Sequence, residues 1–501
     1  MKRLAWTTII CLLLNTGCVE KMAGSFKTPG ADKPLLEAVH KEHKQALSAI
    51  DEVADRKQEQ SRGLGLISND SFEDYANQIL NQLKTASGVS NIPGRVYLKA
   101  ENAWSAKTSA SGNIYIPVGM LGDINSEDVF AALLAHELSH AILNHPDADL
   151  VVRASKKSVA VSSFVNQLSD KADTDSNAYL TSIVALAASE TFLSPSWSRE
   201  QESDADFMGL DILIRAGYSP NAMEDLLKLV EVLDERNRLE LERRQALVKQ
   251  ANQQLRDDAL RNLDFAAVVK GTFSDAVSFA GGKFKTLMAT HRSAKVRIDE
   301  LTEYKKKFYR RVPRKKYQIA TWRTALNTEE IKQVVLGLDK SYQALGLLRK
   351  NELNEAAETI KSSLTHGMEQ QSYVRTVFAD IRAAQGDGSA VLKNHEIAIS
   401  GKYPPFESYK DVISARINRE KGHDAQVGQY EELLTVFNKY GDPPEYFREM
   451  IMLADSLSLQ DKVVALQVEC TAKYAGDAVN CGEERQSEGK LSGLKGFFKA
   501  L

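Results

Sequence analysis

The residues best suited to chemistry stand in one hexapeptide, Ala135 to His140, where His136, Glu137 and His140 form a His-Glu-x-x-His pattern. On a helix, residues four apart lie about 40° apart around the axis and about 6 Å along it, so both imidazoles can reach one tetrahedral cation. Glu137 follows His136 by about 100° and can face a water at that cation. The cation such a set suits is Zn²⁺, one per chain, and the chemistry is hydrolysis. With 9 His in 501 residues, chance is a poor explanation of the pattern. A hydrolytic zinc keeps three protein ligands and one open position. A continuation to Gly at 143 and His at 146 is excluded, because Leu143 and Pro146 stand there. His145 fits no ligand spacing and reads as structural. The other source of a third ligand is the acidic run Ser198 to Asp206, where Glu202 and Asp206 share a helical face. Residue types alone do not rank Glu200, Glu202, Asp204 and Asp206.

The hexapeptide needs a helix. Asn125 and Ser126 are N-cap residues, Glu127 and Asp128 suit the first turn, and Val129 to Leu134 is apolar. Upstream, helical spacing predicts helices over Leu35–Lys57 and Phe72–Leu83, and alternation predicts strands over Arg95–Ala100 and Asn113–Val118. The second strand is expected to offer its edge to an extended substrate. Beyond Gly122 the pattern is helical almost throughout. Helices are expected near Asp147–Val165 and Tyr179–Phe192, both with apolar stretches; Ser182, Ser189 and Glu190 interrupt the second, so it suits a buried or groove-lining place rather than a bilayer. Val230–Leu263 reads as a long, charged, solvated helix. Lys305–Lys316 is a basic cluster around Pro313, read as a solvated linker that a tethered protein could turn toward anionic head groups. After about residue 330, turn-then-Ala segments recur at Asn351–Ala356, Gly386–Ala390 and Gly422–Ala425, with a fourth at Ser458–Asp461. Their alanines are 34 and 35 positions apart, a period that resembles tetratricopeptide repeats.

The first residues read as an address. Lys2 and Arg3 precede the apolar run Leu4–Leu14, and Asn15-Thr16-Gly17-Cys18 follows. That is a secretory signal, too short to span a bilayer. Cys after Thr-Gly resembles the bacterial lipobox, with Asn15 where Leu, Val or Ile is usual, so Cys18 is the expected lipidation site. Val19, rather than Asp, resembles lipoproteins sent to the outer membrane of a Gram-negative cell. Cys11 leaves with the signal, and Cys470 and Cys481 remain as an even pair suited to a disulfide in an oxidising compartment. Composition is that of a globular protein, 43% hydrophobic and 26% charged. A net charge of -3 and 7% aromatic residues argue against general nucleic-acid binding.

The segments Asn102–Trp104, Gly112–Leu121, Glu127–Asp128 and Leu134–His145 resemble the HtpX/CAAX-prenyl-protease-like family of gluzincin peptidases. Ser198–Asp206 resembles that family's SRxxExxAD motif, which implies Glu202 as third zinc ligand and Asp206 as the residue that orients a ligating His. Thr290–Ile298 is similar to the family's THPxxxxRI, with Arg292 in place of Pro. The resemblance implies a catalytic part for His291, as oxyanion stabiliser or as a fourth ligand that holds the enzyme latent, and for Arg297 in support of either. In the periplasmic BepA-type members, a signal peptide, a metallopeptidase and tetratricopeptide repeats occur in this order. The expected fold is therefore mainly α: a gluzincin-type zinc metallopeptidase domain with a small β-sheet, followed by an α-solenoid. Residues 1–17 are the signal peptide, 18–34 a tether, 35–330 the peptidase, 331–490 the repeats and 491–501 a tail. The expected function is a zinc endopeptidase of the periplasm, anchored to the outer membrane, that cleaves misfolded or misassembled envelope proteins. Its repeats would dock substrates or outer-membrane assembly machinery. The alternative is a chaperone or assembly scaffold with a latent protease site.

Overall fold

The computed structural model describes residues 32–44, 51–104, 106–145, 199–233, 235 and 294–474. Near the start of this region the backbone is pinned by tertiary contacts. Leu36 N–H donates to Asp211 Oδ2 at 3.0 Å, and residues 41 and 43 exchange backbone hydrogen bonds with Ser90. A continuous helix over Leu35–Lys57 is therefore not formed. A 3-10 turn covers Leu35–Glu37, and α1 (Glu52–Gln60) begins after Asp51, whose carboxylate accepts from Val53 and Ala54 N–H.

Four short strands follow: β1 (Leu66–Ile67), β2 (Val96–Lys99), β3 (Lys107–Thr108) and β4 (Ile114–Pro117), in the order β1-β2-β4-β3. Between β1 and β2 runs α2 (Asp70–Ser87), capped by Asn69 Oδ1 on Phe72 N–H. β2 and β4 are parallel, with Val96 opposite Ile114 and Leu98 opposite Ile116; β1 and β3 are antiparallel to their neighbours. Alternation sends Val96, Leu98, Ile114 and Ile116 into the main core, while Tyr97 and Tyr115 pack with Leu66 and Tyr403 in a separate cluster. The strand expected over Asn113–Val118 is thus present as β4 but lies inside the sheet. The edge belongs to β3, whose two residues are too few to show a period.

Helix α3 (Glu127–Ile142) carries the His-Glu-x-x-His pattern and is buried along its whole length. Ser126 caps it, with Oγ accepting from Val129 N–H. A helix enclosed on all sides must be apolar around its circumference or have each polar group met. It packs closely on α4 (Arg199–Arg215). Gly209 permits that approach: a Cβ there would lie 3.2 Å from His136 N and 3.3 Å from Ala135 C. Helix α5 (Ala294–Tyr309) covers α4, with Tyr304 stacked on Phe207 at 4.5 Å. Next comes α6 (Ile319–Leu326), whose Trp322 is buried against Phe72 and Phe130 and donates from Nε1 to Ile124 O at 2.7 Å.

The remaining described chain is four helix pairs: α7 (Glu329–Arg349) with α8 (Leu353–Lys361), α9 (Ser372–Ala384) with α10 (Gly388–Ser400), α11 (Phe406–Arg419) with α12 (His423–Lys439), and α13 (Phe447–Ser456) with α14 (Gln460–Tyr474). All four turn segments expected from the sequence fall between the members of these pairs. Asn351, Gly386 and Ser458 there take φ of 62°, 76° and 58°, the left-handed region that ends a helix. One hydrophobic core runs from Leu36 to Ile381, and a second fills α11 to α14. Cys470, buried in the second, is disulfide-bonded; Cys481 and Cys18 lie outside the described residues. The helices expected over 147–165 and 179–192, and nearly all of 230–263, also lie outside them. Among the described residues no helix is long and apolar enough to cross a membrane.

Helix α1 joins these parts. Asp55 Oδ2 accepts from Ser109 Oγ, Ser111 Oγ, Asn113 Nδ2 and Tyr115 OH at 2.7–2.8 Å, which fixes the β3–β4 hairpin. Glu59, also buried, pairs with Lys107 of β3 at 2.5 Å and with Lys99 of β2 at 3.3 Å. From the same helix, Gln58 Nε2 donates to Gly441 O at 2.6 Å, beyond α12. The α3–α4 contact yields a first prediction. Gly209→Ala should lower stability by about 1–3 kcal/mol through overpacking and weaken metal binding at α3. Thermal unfolding and a zinc titration check both, and a variant as stable and as tight-binding as the parent would contradict this account.

Candidate metal centre

Helix α3 presents His136 and His140 one turn apart, and α4 brings Glu202 opposite them. One ligand atom from each of the three lies within 4.8 Å of the others, and all three residues are buried. The two Nε2 atoms are 3.1 Å apart. Two nitrogens each about 2.0–2.1 Å from a shared tetrahedral ion are separated by about 3.3 Å, so the observed spacing fits zinc. Glu202 Oε2 is 3.7 Å from His136 Nε2, and Oε1 is 3.9 Å from His140 Nε2.

Behind the ligands the far imidazole nitrogens are held. His136 Nδ1 lies 3.0 Å from Asp206 Oδ1. Arg297, on α5, donates from Nε to Asp206 Oδ2 and from Nη2 to Oδ1, both at 2.7 Å, and its Nη1 lies 2.8 Å from Glu202 Oε2. The Glu202 and Asp206 positions are one turn apart, so a single guanidinium reaches both carboxylates. Burial alone would raise the Asp206 carboxyl, but Arg297, with His136, holds it below the usual carboxylate range. His140 Nδ1 is 2.8 Å from His145 Nδ1. Burial, helped by the charge of His136, pushes His145 down to about 3, so it stays neutral and can accept the His140 N–H. His145 thus bears on the centre, a part its spacing did not disclose.

Glu137 is met from the sheet edge. Thr108 Oγ1, on β3, lies 2.7 Å from Glu137 Oε2 and 2.9 Å from its backbone O. Burial pushes the Glu137 carboxyl above its ordinary value, against the lowering effects of His136 and the Thr108 hydrogen bond. A carboxylate raised in this way is a better proton acceptor. No sequence signal marked Thr108. The structure therefore brings together His136, Glu137, His140, Glu202, Asp206 and Arg297; Arg297 sits behind the ligands, against Asp206 and Glu202. His291 lies outside the described residues.

A buried two-histidine, one-glutamate set with a neighbouring glutamate on one helix is the kind of donor set that zinc hydrolases use. Residues 73–305 match the model of peptidase family M48. The chain is 23% identical over 160 residues to "Mitochondrial metalloendopeptidase OMA1" of Schizosaccharomyces pombe, a stretch covering 32% of this chain and 44% of that protein. It is 28% identical over 141 residues to "Metalloprotease YcaL" of Escherichia coli, covering 28% of this chain and 51% of that protein. The chain thus spans about half the length of the curated relatives it matches.

Removing Arg297 tests the arrangement. Arg297→Leu leaves two buried carboxylates without their cation, which should cost about 3–5 kcal/mol and lower zinc affinity about 10–100-fold. A depressed folded-state pKa favours the folded form above the unfolded value and loses that contribution as pH falls through the folded value. Asp206 therefore stabilises the metal-free protein above about pH 4 and ceases to do so in acid. Arg297→Leu should flatten that acid limb, read as melting temperature against pH; an unchanged limb would refute the pairing.

Proposed function

We propose that the chain is a zinc-dependent endopeptidase that works in the periplasm, held at the outer membrane through Cys18, on misfolded or misassembled envelope proteins. The observation that carries the catalytic part is the convergence of His136, His140 and Glu202 beside a buried Glu137 held by Thr108. The M48 match and the two relatives, both described as metallopeptidases, support it. The ligand set has the composition and spacing that zinc takes. Zinc, when bound, supplies a Lewis acid for water and for the scissile carbonyl.

The chain's own residues do the rest. Glu137 takes the proton of the attacking water and then delivers it to the leaving amine, which departs neutral. Thr108 keeps the carboxylate in place through both transfers. β3, the edge strand next to Glu137, is suited to pair with an extended substrate, and backbone pairing accepts many sequences. The four helix pairs, read as tetratricopeptide-like, would present substrates or dock assembly machinery on a concave face. The helix-turn-helix order and left-handed turns support that reading.

Glu137→Gln separates an enzyme from a scaffold with a latent site. The variant should bind one zinc per chain yet cleave an unfolded protein about 10²–10⁴-fold more slowly, the range of general acid–base catalysis. Chelation of the metal should abolish cleavage in the parent, and zinc should restore it. Equal inactivity of parent and variant, with the cellular task intact in both, would overturn the protease reading.

A further inference from the structure

The basic cluster plays no part in the metal centre. Residues 305–316 contain eight Lys or Arg and no acidic residue, in a chain of net charge -3. Lys306, Lys307, Arg310, Arg311, Arg314, Lys315 and Lys316 are exposed. Lys306 pairs with Glu303, and Lys315 donates to Gly217 O at 2.6 Å. Among the described residues no ion pair joins Arg310, Arg311, Arg314 or Lys316 to a carboxylate. Ile319, 41% exposed, stands at the end of the cluster. Such a segregation of like charge is unfavourable for the folded protein alone and is relieved by an anionic partner.

The fold places the chain's N-terminal approach at this cluster. Leu35 N–H donates to Tyr304 OH at 2.7 Å, and Leu36 N–H donates to Asp211, which also accepts from Tyr309 OH at 2.8 Å. Tyr304 and Tyr309 flank Lys305–Phe308, and Arg310 follows directly. The chain from Cys18 therefore reaches the folded protein beside the basic cluster. Leu35 is 17 positions after Cys18, so residue 35 lies within about 60 Å of any anchor at Cys18.

We propose that residues 306–316 form a docking surface for the anionic head groups of a lipid bilayer, which turns this face of the peptidase toward the membrane. The inference rests on the reading of Cys18 as the anchor and adds an electrostatic contact to it. Each Lys or Arg near an anionic surface adds to attraction that salt screens within a Debye length.

The test uses the full chain with vesicles of phosphatidylcholine, alone or with about 30% phosphatidylglycerol, at low and high salt. The parent should partition at least about tenfold more strongly onto the anionic vesicles at low salt, and high salt should erase the difference. Arg310→Glu/Arg311→Glu/Arg314→Glu should lose that preference. Lys350→Glu/Lys393→Glu/Lys421→Glu, with the same change of charge on the helical array, should keep it; equal melting temperatures confirm that both are folded. Salt-resistant binding to neutral vesicles reports the anchor separately. If that binding is absent while the anionic preference persists, the anchor reading fails and the surface stands. A parent without preference for anionic vesicles, or a cluster variant that retains it, would overturn the proposal. An acidic protein partner in place of lipid would give the first of those results.

Discussion

A carboxylate in a dry interior must be paired or hydrogen-bonded, and at the centre of this protein the partner is a cation. Arg297 neutralises Asp206 and Glu202 together, and Asp206 in turn holds His136. Each residue in the chain of contacts comes from a different helix or helix turn, so α3, α4 and α5 must all be packed before any of the charges is stable. Gly209 is the point at which α3 and α4 are allowed close enough. His136 and Glu202 are thereby held in place from behind by Asp206 and Arg297.

Thr108 sets a second constraint from the opposite side. It ties Glu137 to β3, so the carboxylate beside the metal set and the edge strand of the sheet share one hydrogen bond. Asp55 and Glu59 then fix the hairpin to α1. The spacing between Glu137 and β3 is set by buried polar contacts whose partners lie more than twenty residues apart. Buried polar groups must be matched, so these contacts specify geometry more sharply than apolar packing does.

What could be read from the sequence was local. α3 announced itself through Ser126, the acidic first turn and its apolar run, and the turns of the helical array through Asn, Gly and Ser at their ends. Glu202 was only one of four acidic residues until a family motif ranked it. The placement of Arg297 against Asp206, 91 positions away, leaves no periodic trace, nor does Thr108 on a two-residue strand. The helical spacing of Leu35–Lys57 misled because Leu36 and residues 41–43 found partners elsewhere in the fold. Tertiary hydrogen bonds to Asp211 and Ser90 outweighed a local preference.

The core that continues from Leu36 to Ile381, together with the span of α1 from the β3–β4 hairpin to Gly441, carries a consequence for how the molecule comes apart. Among the described residues, the helices around the metal centre and α7 to α9 share that core, so neither part could melt and leave the packing of the other intact. A fragment ending near residue 330 would bare the apolar groups that meet Leu338, Ile360 and Tyr373, a surface prone to self-association. Melting of α7 to α9 would thus be felt at the metal ligands, while α11 to α14 keep a core of their own.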